Sequence, residues 1–158
     1  MNIKQTIMKV ITTTLLAVIA SVTTLFATSL YTTAEDKPIS YDKLPSEAQK
    51  FIATYFAGEE LSHIVRDRDV ISVDYKVGFI SGTKLEFNSD GEWKEVETRN
   101  GVVPAELIPQ PIAEQVKSNY PNREITEIKR NHYYTEVTLN GGLELTFNRD
   151  YKIVDVDD

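Results

Sequence analysis

The sequence predicts an α+β protein made of two tandem units, each a helix followed by four antiparallel strands. The helices are expected on one face of an antiparallel sheet, with the other face open. A repeat predicts the two units: Leu44–Phe56 (LPSEAQKFIATYF) recurs as Ile108–Tyr120 (IPQPIAEQVKSNY), and Phe87–Gly91 (FNSDG) recurs as Phe147–Tyr151 (FNRDY). Such a recurrence indicates one supersecondary unit used twice. Within each copy the apolar residues change from a helical spacing to strict alternation, which predicts the order of helix and strands.

The N-terminal stretch, residues 1–34, has the layout of a secretory signal peptide. Two lysines precede the uncharged stretch Val10–Ala27, as in a basic segment followed by an apolar one. Cleavage could follow Ala27 or Ala34, and the small residues at 32 and 34 favour the second. The uncharged stretch up to Ala34 is also long enough to cross a bilayer, which takes roughly 20 apolar residues. A retained anchor is therefore the alternative, and it would be the one contact with a membrane.

Charge and composition exclude several kinds of partner. Removal of residues 1–34 takes away two of the 17 basic residues and none of the 24 acidic ones, which leaves a formal net charge of −9. An acidic chain repels phosphate backbones, so no nucleic acid partner is expected. The chain has no cysteine, so it does not rely on disulfides even in an oxidising compartment. The remaining length is enough for one modest core, or for two very small units that share one.

Each predicted unit begins with a helix and continues in strands. In the first unit, residues 35–98, Pro45 opens a helix whose apolar residues recur every three or four positions. Alternating apolar residues then predict strands at about 60–66, 71–79, 83–88 and 92–98. In the second unit, residues 99–158, a helix begins at Ile108 and Pro121 stops it. Its strands are predicted at about 124–130, 133–139, 142–148 and 151–157.

The alternation also predicts which side chains occupy the open face. A tight turn at Asn88–Gly91, with Gly91 in the left-handed region, would set Phe87 opposite Trp93 under the helix. Phe147 would lie opposite Ile153 in the same way. The opposite face is predicted to carry Val96 together with the candidate partner-binding residues Asp74, Lys84, Glu86, Tyr134, Glu136 and Val154. A solvated face of mixed charge is the alternative interpretation, whereas an exposed tyrosine and valines favour a partner surface.

The FNSDGEWKEVE stretch at 87–97 has a spacing of acidic and amide side chains close to that of an EF-hand loop. An EF-hand needs a helix on each flank, but both flanks here alternate as strands. Asn and Asp are also common in tight turns, because their side chains bond to the turn backbone. We therefore expect a hairpin tip, with Asn88 and Asp90 as the candidate ligands of a weakly held calcium ion. No other cofactor is expected.

The sequence contains no catalytic motif. His63 and His132 are the only histidines, and they do not occupy equivalent positions of the repeat. No G-x-S-x-G motif presents a nucleophile, and no spacing of histidines or cysteines fits zinc. The protein is therefore expected not to be an enzyme.

The chain resembles the PepSY-like family, also described as beta-lactamase-inhibitor-like. The resemblance covers nearly all of residues 39–157 and is carried by LPSEAQKFIATYF, GFISGTKLEFNSDGEWKEVE, YPNREITEIKR and YTEVTLNGGLELTF. It implies export from a bacterial host, tandem helix-plus-four-strand units, and a sheet face that holds a partner enzyme. It also implies calcium association for some members. One departure is Tyr151, which stands where the family usually has a glycine after the Asn-x-Asp turn.

The functional prediction combines these observations. We expect an exported, non-enzymatic binding module, periplasmic or secreted, that inhibits or regulates an envelope or secreted enzyme through its open sheet face. A beta-lactamase and a peptidase are equally compatible with the resemblance. The alternatives are a calcium-responsive periplasmic sensor or regulator and a purely structural domain.

Overall fold

A computed structural model describes residues 36–69 and 71–158 of the chain. The predicted signal peptide lies outside these residues. Within them the chain forms two α-helices, α1 (Ser46–Tyr55) and α2 (Gln110–Asn119). The nine strands are β1 (Lys37–Pro38), β2 (Leu61–Arg68), β3 (Val73–Phe79), β4 (Lys84–Phe87), β5 (Trp93–Glu97), β6 (Ile125–Arg130), β7 (Tyr134–Leu139), β8 (Glu144–Asn148) and β9 (Ile153–Asp157). No helix in this part of the chain is long and apolar enough to cross a membrane.

The nine strands form one sheet in the order β1 to β9, in which every neighbouring pair is antiparallel. The prediction of two tandem helix-plus-four-strand units is therefore wrong. β5, which ends the predicted first unit, pairs with β6, the first strand of the predicted second unit. The sheet also includes β1, which no pattern in the sequence predicted. A single sheet with two helices replaces the predicted pair of units.

The pairing of β5 with β6 has a physical cause. An unpaired strand exposes backbone N–H and C=O groups that need partners once they are removed from water. Val96 and Ile128 lie opposite each other across the two strands, and both are 0% exposed. Full burial of such a side chain stabilises the fold by about 1.5–3 kcal/mol. A repeat in the sequence shows that two segments are alike, but it does not show whether their edges join.

β-Bulges in the β4–β5 and β8–β9 hairpins decide which side chains face the helices. Phe87 lies opposite Trp93 and Phe147 lies opposite Ile153, as predicted. One extra residue then follows in β5, so that Leu85 lies opposite Val96. Val96 therefore faces the core, and its predicted place on the open face is wrong, because simple alternation does not allow for an inserted residue.

Both helices pack on the face of the sheet that carries Leu85 and Phe87. The Phe51 ring of α1 meets the Phe87 ring edge-on, with centroids 5.5 Å apart. Ile112 and Val116 of α2 are 0% and 5% exposed. One cluster of buried side chains joins residues from both helices and from eight strands, β2 to β9, with Trp93 and Ile153 among its partly buried members. The helices thus cover one face and leave the other bare.

Gly91 closes the β4–β5 hairpin against the start of α1. Its φ of 86° lies in the left-handed region, where a side chain costs about 1–2 kcal/mol. A Cβ at this position would lie 2.8 Å from Pro45 Cβ and 2.9 Å from the backbone nitrogen of Ala48. Glycine is therefore required here by the backbone and by the close approach of the helix.

We expect Gly91→Ala to lower the free energy of unfolding by more than the about 1–2 kcal/mol that left-handed strain alone costs, because the new Cβ would also collide with α1. Gly142→Ala is the matched control, since Gly142 has a φ of +95° with nothing within 4 Å of the added Cβ. Urea unfolding of both variants measures the difference. Equal losses would show that the hairpin tip does not press on α1.

Candidate partner-binding face

The open face is the side of the sheet that neither α1 nor α2 covers. The register places its side chains in two rows that cross the sheet. The first row is Lys76, Glu86, Glu95, Lys129, Glu136, Thr146 and Asp155. The second row is Lys84, Glu97, Glu127, Thr138, Glu144 and Asp157. Because β5 and β6 are paired, each row runs without a break from β3 or β4 to β9.

Carboxylates outnumber lysines on this face. With Asp67 and Asp74, the strands place ten carboxylates there beside four lysines, namely Lys76, Lys84, Lys94 and Lys129. Each lysine already forms an ion pair within the face. In the part of the chain that the structure describes, Glu95, Glu136, Glu144, Asp155 and Asp157 have no such partner. The face therefore keeps an excess of six negative charges.

The predicted residues Asp74 and Glu86 are joined by Lys94. The ammonium of Lys94 donates to Asp74 Oδ2 at 2.9 Å and to Glu86 Oε1 at 2.7 Å. Burial disfavours its charge, but the two carboxylates outweigh burial and raise the pKa of Lys94. The predicted Lys84 pairs with Glu97 at 2.8 Å. These residues hold one another in place, so this part of the face is largely neutral.

The predicted residues Tyr134, Glu136 and Val154 lie on the second half of the sheet. Tyr134 and Glu136 are two positions apart in β7 and therefore point to the same side. Tyr134 is 42% exposed and Val154 59% exposed. Val154 occupies the bulge of β9, at the position that Lys94 holds in β5. The six candidate residues thus form two groups on one face, and their contact with a partner stays a prediction.

Burial and neighbouring carboxylates raise the pKa of two glutamates at the centre of the open face. Burial raises the pKa of Glu95, and Glu127, Glu86 and Glu97 raise it further, while Lys129 opposes them. Burial likewise raises the pKa of Glu136, and Glu144 adds to the shift by repulsion and by a hydrogen bond. A cation that approached these carboxylates would offset their mutual repulsion and stabilise their charged form.

A depression of 260 Å³ opens on the open face where Gly78 has no side chain. The ring of His63 lies across it, with Cε1 2.3 Å from the place that a Cβ of Gly78 would take. Lys84, Glu95 and Glu97 are among the residues that form its walls. The depression is large enough to hold one amino-acid side chain, and its walls carry three carboxylates and two lysines.

Arg130 closes the end of the seam between β5 and β6. Its guanidinium lies 3.7 Å from the centroid of the Trp93 ring, and its Nε donates to Trp93 O at 3.0 Å. Burial lowers the pKa of Arg130. The stacked pair lines a groove of 560 Å³ beside the hairpin tip, together with Lys94 and His132. Arg130 thus connects the ends of β5 and β6 through its contacts with Trp93.

The hairpin tips use their asparagines to hold the turn. Asn88 Oδ1 accepts hydrogen bonds from the backbone N–H groups of Asp90 at 3.0 Å and Glu92 at 2.9 Å. Asn148 Oδ1 makes the same two bonds in the other tip, at 3.0 Å each. The amide oxygen that would bind a cation is thus already an acceptor. No group of three or more acidic or histidine side chains suited to a metal occurs in the described ranges.

Comparison with known proteins connects this fold to a family. The model of a family described as "Putative beta-lactamase-inhibitor-like, PepSY-like" matches residues 73–155. The chain belongs to this PepSY-like family. The resemblance seen in the sequence is therefore confirmed. No functionally curated protein matches the chain.

Three solved structures from Bacteroides resemble this PepSY-like protein. A "putative periplasmic protein" of the DUF2874 family from Bacteroides vulgatus is 34% identical, with a TM-score of 0.77 over 80% of this chain and 99% of that one. A "putative calcium-regulated periplasmic protein" from Bacteroides thetaiotaomicron is 33% identical, with a TM-score of 0.75 over 78% and 97%. A second Bacteroides vulgatus protein, of unknown function, is 33% identical, with a TM-score of 0.75 over 78% and 100%. The predicted export is confirmed, and the protein is periplasmic.

The matched family is described as inhibitor-like and is not a known enzyme family. The two histidines of this PepSY-like protein lie in different surroundings. His63 Nδ1 is 3.3 Å from Oγ of its sequence neighbour Ser62. The His132 ring packs edge-on against Tyr133, with centroids 5.4 Å apart. Neither contact places an acid, a base and a nucleophile in line.

Sequence reasoning missed the centre of the face in this PepSY-like protein. Glu95, Glu127 and Lys129 meet there only because β5 pairs with β6. A signal was present in the spacing of Trp93 and Val96, two apolar residues three positions apart where alternation requires two or four. Such an odd spacing indicates a bulge. In β9 the same signal is hidden, because Val154 is itself apolar.

We expect Glu136→Gln to stabilise the protein at neutral pH. Folding raises the pKa of Glu136 above its ordinary 4.5, so the wild type loses stability as pH rises through that raised pKa. The variant does not, and its advantage should be about 0.2–1 kcal/mol at pH 7, the size of a typical side-chain interaction between neighbouring strands, because it removes the repulsion by the diagonal neighbour Glu144. The advantage should vanish below the ordinary pKa. Urea unfolding between pH 4 and 8 tests this, with the exposed Glu114→Gln as control; a constant advantage would contradict it.

Proposed function

We propose that this PepSY-like protein is a non-enzymatic binding module that inhibits or regulates an envelope or secreted enzyme through its open face. The observation that carries the proposal is the excess of six carboxylates on a sheet face that no helix covers. Like charges gathered on one face cost stability, and a partner with a basic surface would offset that cost. The periplasmic location supports a partner from the cell envelope.

Two features of the face would anchor such a partner. Tyr134 is a partly exposed aromatic residue of the type that is enriched where interfaces gain most energy. The depression over Gly78 would accept a lysine or arginine side chain between Glu95 and Glu97. Long-range attraction between the acidic face and a basic partner would also speed the encounter.

The class of the partner enzyme is open between a peptidase and a beta-lactamase. Similar folds support unrelated functions, so likeness to an inhibitor does not choose the target. An enzyme of either class would need a basic contact surface that reaches Tyr134 and Glu136.

Affinity capture from the native periplasm, with the mature protein as bait, tests this proposal. We expect a co-purifying enzyme whose activity falls on binding, and whose capture weakens as salt rises from 0.05 to about 0.5 M. Tyr134→Ala and Glu136→Lys should each reduce capture by roughly tenfold or more, since contacts at the centre of an interface often cost over 1 kcal/mol.

The matched control is Glu114→Lys, which makes the same charge change on the exposed side of α2 and should leave capture unchanged. If all three variants retain the enzyme equally, the open face is not the binding surface. If no protein is captured by the wild type under any salt condition, the binding function itself is refuted.

A second proposal is a calcium-responsive regulator. It is supported by the excess of carboxylates and by one similar structure that is described as calcium-regulated. It would use Asp90 and neighbouring acids at the β4–β5 tip, because the Asn88 amide is committed to the turn. Such a site would hold calcium weakly, since calcium usually takes 6–8 oxygen ligands.

Isothermal titration with calcium chloride tests the second proposal. Calcium at millimolar concentration should give heat and raise the melting temperature, and Asp90→Asn should abolish both. Asp150→Asn is the matched control at the other tip, which has the same turn bonds, and it should bind calcium as the wild type does. Absence of heat in the wild type would remove this proposal.

A further inference from the structure

The two edges of the sheet differ in how well they are protected. β1 is only two residues long and contains Pro38, which cannot donate a hydrogen bond. Short strands and prolines are ordinary means of blocking an edge. β9 has five residues, contains no proline, and has β8 as its one neighbour in the part of the chain that the structure describes. The β9 edge therefore offers backbone groups for pairing, and the β1 edge does not.

β5 shows what the β9 edge can accept, because the two strands have the same register with their hairpin partners. Val96 lies opposite Leu85, and Val156 lies opposite Leu145. Both strands carry a bulge two residues before the valine, at Lys94 and Val154. Each valine also has an acidic residue on both sides in the sequence. β9 thus presents to solvent the same pattern that β5 presents to β6.

The next strand explains the different burial of the two valines. Val96 is covered by β6 and is 0% exposed, whereas Val156, which has β8 on one side and no second strand among the described residues, is 49% exposed. Thr98 N donates to Thr126 O at 2.8 Å across the β5–β6 seam, so alternate residues of β5, including Val96, turn their backbone groups toward β6. By the same register Val156 turns its N–H and C=O away from β8.

β6 also shows which side chains suit this edge. Ile128 lies opposite Val96, Lys129 lies opposite Glu95, and Glu127 lies opposite Glu97. On β9 the positions that correspond to Glu95 and Glu97 are Asp155 and Asp157. Because opposite charges stabilise a cross-strand pair and like charges destabilise it, the best added strand would set an apolar residue opposite Val156 and a basic residue opposite each aspartate.

The same charges disfavour pairing between two copies of the protein. Two β9 strands that met antiparallel about Val156 would place Asp155 of each opposite Asp157 of the other. Like charges directly opposite each other destabilise a strand pair. A second copy is thus a poor occupant of the edge at neutral pH, and a basic segment is a good one.

We propose that the β9 edge binds an extended segment of a partner protein by antiparallel strand addition, and that the segment has the pattern basic, apolar, basic. Main-chain hydrogen bonds supply affinity in this mode of recognition and the alternate side chains supply selectivity. Asp155 and Asp157 both exclude acidic strands and attract basic ones. This edge site combines the outward backbone groups of β9 with Asp155 and Asp157, which also end the two rows of the open face.

A synthetic peptide tests the proposal directly. Its sequence is residues 123–130 of this chain with Glu127→Lys, so that basic residues flank Ile128. We expect the peptide to slow hydrogen exchange at the Val156 amide of the mature protein and to shift the NMR signals of β8 and β9. The same peptide with an N-methyl group on Ile128 has the same charge but lacks the central donor, and it should not bind.

Charge reversal gives the decisive comparison. Asp155→Lys should weaken binding by roughly two- to thirtyfold, because it removes one cross-strand attraction and adds a repulsion of similar size, and a peptide that also carries Lys129→Glu should restore it. Glu114→Lys makes a matching charge reversal on the exposed side of α2 and should have no effect.

Three results would overturn the proposal. The first is an unchanged Val156 amide at saturating peptide. The second is equal binding by the N-methylated peptide, which would show that charge alone attracts it. The third is a change confined to β5 and β7, which would show that the peptide replaces β6 within the sheet.

Discussion

The pairing of β5 with β6 is the contact on which the rest of this structure depends. Three residue pairs join the strands, and the central one buries Val96 against Ile128. Without this ladder each half would have a strand edge and half a core exposed to water, and small cores of that size are marginal. With it, the helices share one core and the side chains of both halves form continuous rows on the opposite face. The continuous acidic surface of that face is therefore a consequence of the β5–β6 pairing.

The bulge that follows each hairpin tip decides which extra side chain lies on the open face. In β5 it places Lys94 beside Asp74 and Glu86, where the ammonium forms an ion pair with each carboxylate. In β9 the equivalent residue is Val154, which neutralises nothing. All carboxylates of the first half of the face except Glu95 are therefore ion-paired, whereas the second half keeps more unpaired acids together with exposed apolar side chains. This asymmetry gives two similar hairpins different surfaces on one face.

The open face and the β9 edge would bind by different physical means. A partner on the face would meet charged side chains, so its affinity would depend strongly on salt. A segment at the edge would meet backbone N–H and C=O groups, whose bonds are short-ranged and depend on strand geometry. Both surfaces favour basic partners, which fits a periplasmic PepSY-like protein whose acidic charge is gathered on one side of its sheet.

The sequence by itself determined the local structure of this protein. Alternation and helical spacing placed α1, α2 and eight strands close to their observed ends, and the Asn-x-Asp stretches identified both hairpin tips. These features depend on neighbours in the chain. The tertiary structure alone decided that β5 and β6 join, that Val96 is buried, and that Glu95, Glu127 and Lys129 meet at the centre of the face. Those outcomes depend on contacts between residues about 30 positions apart and on one inserted residue, which local periodicity does not record.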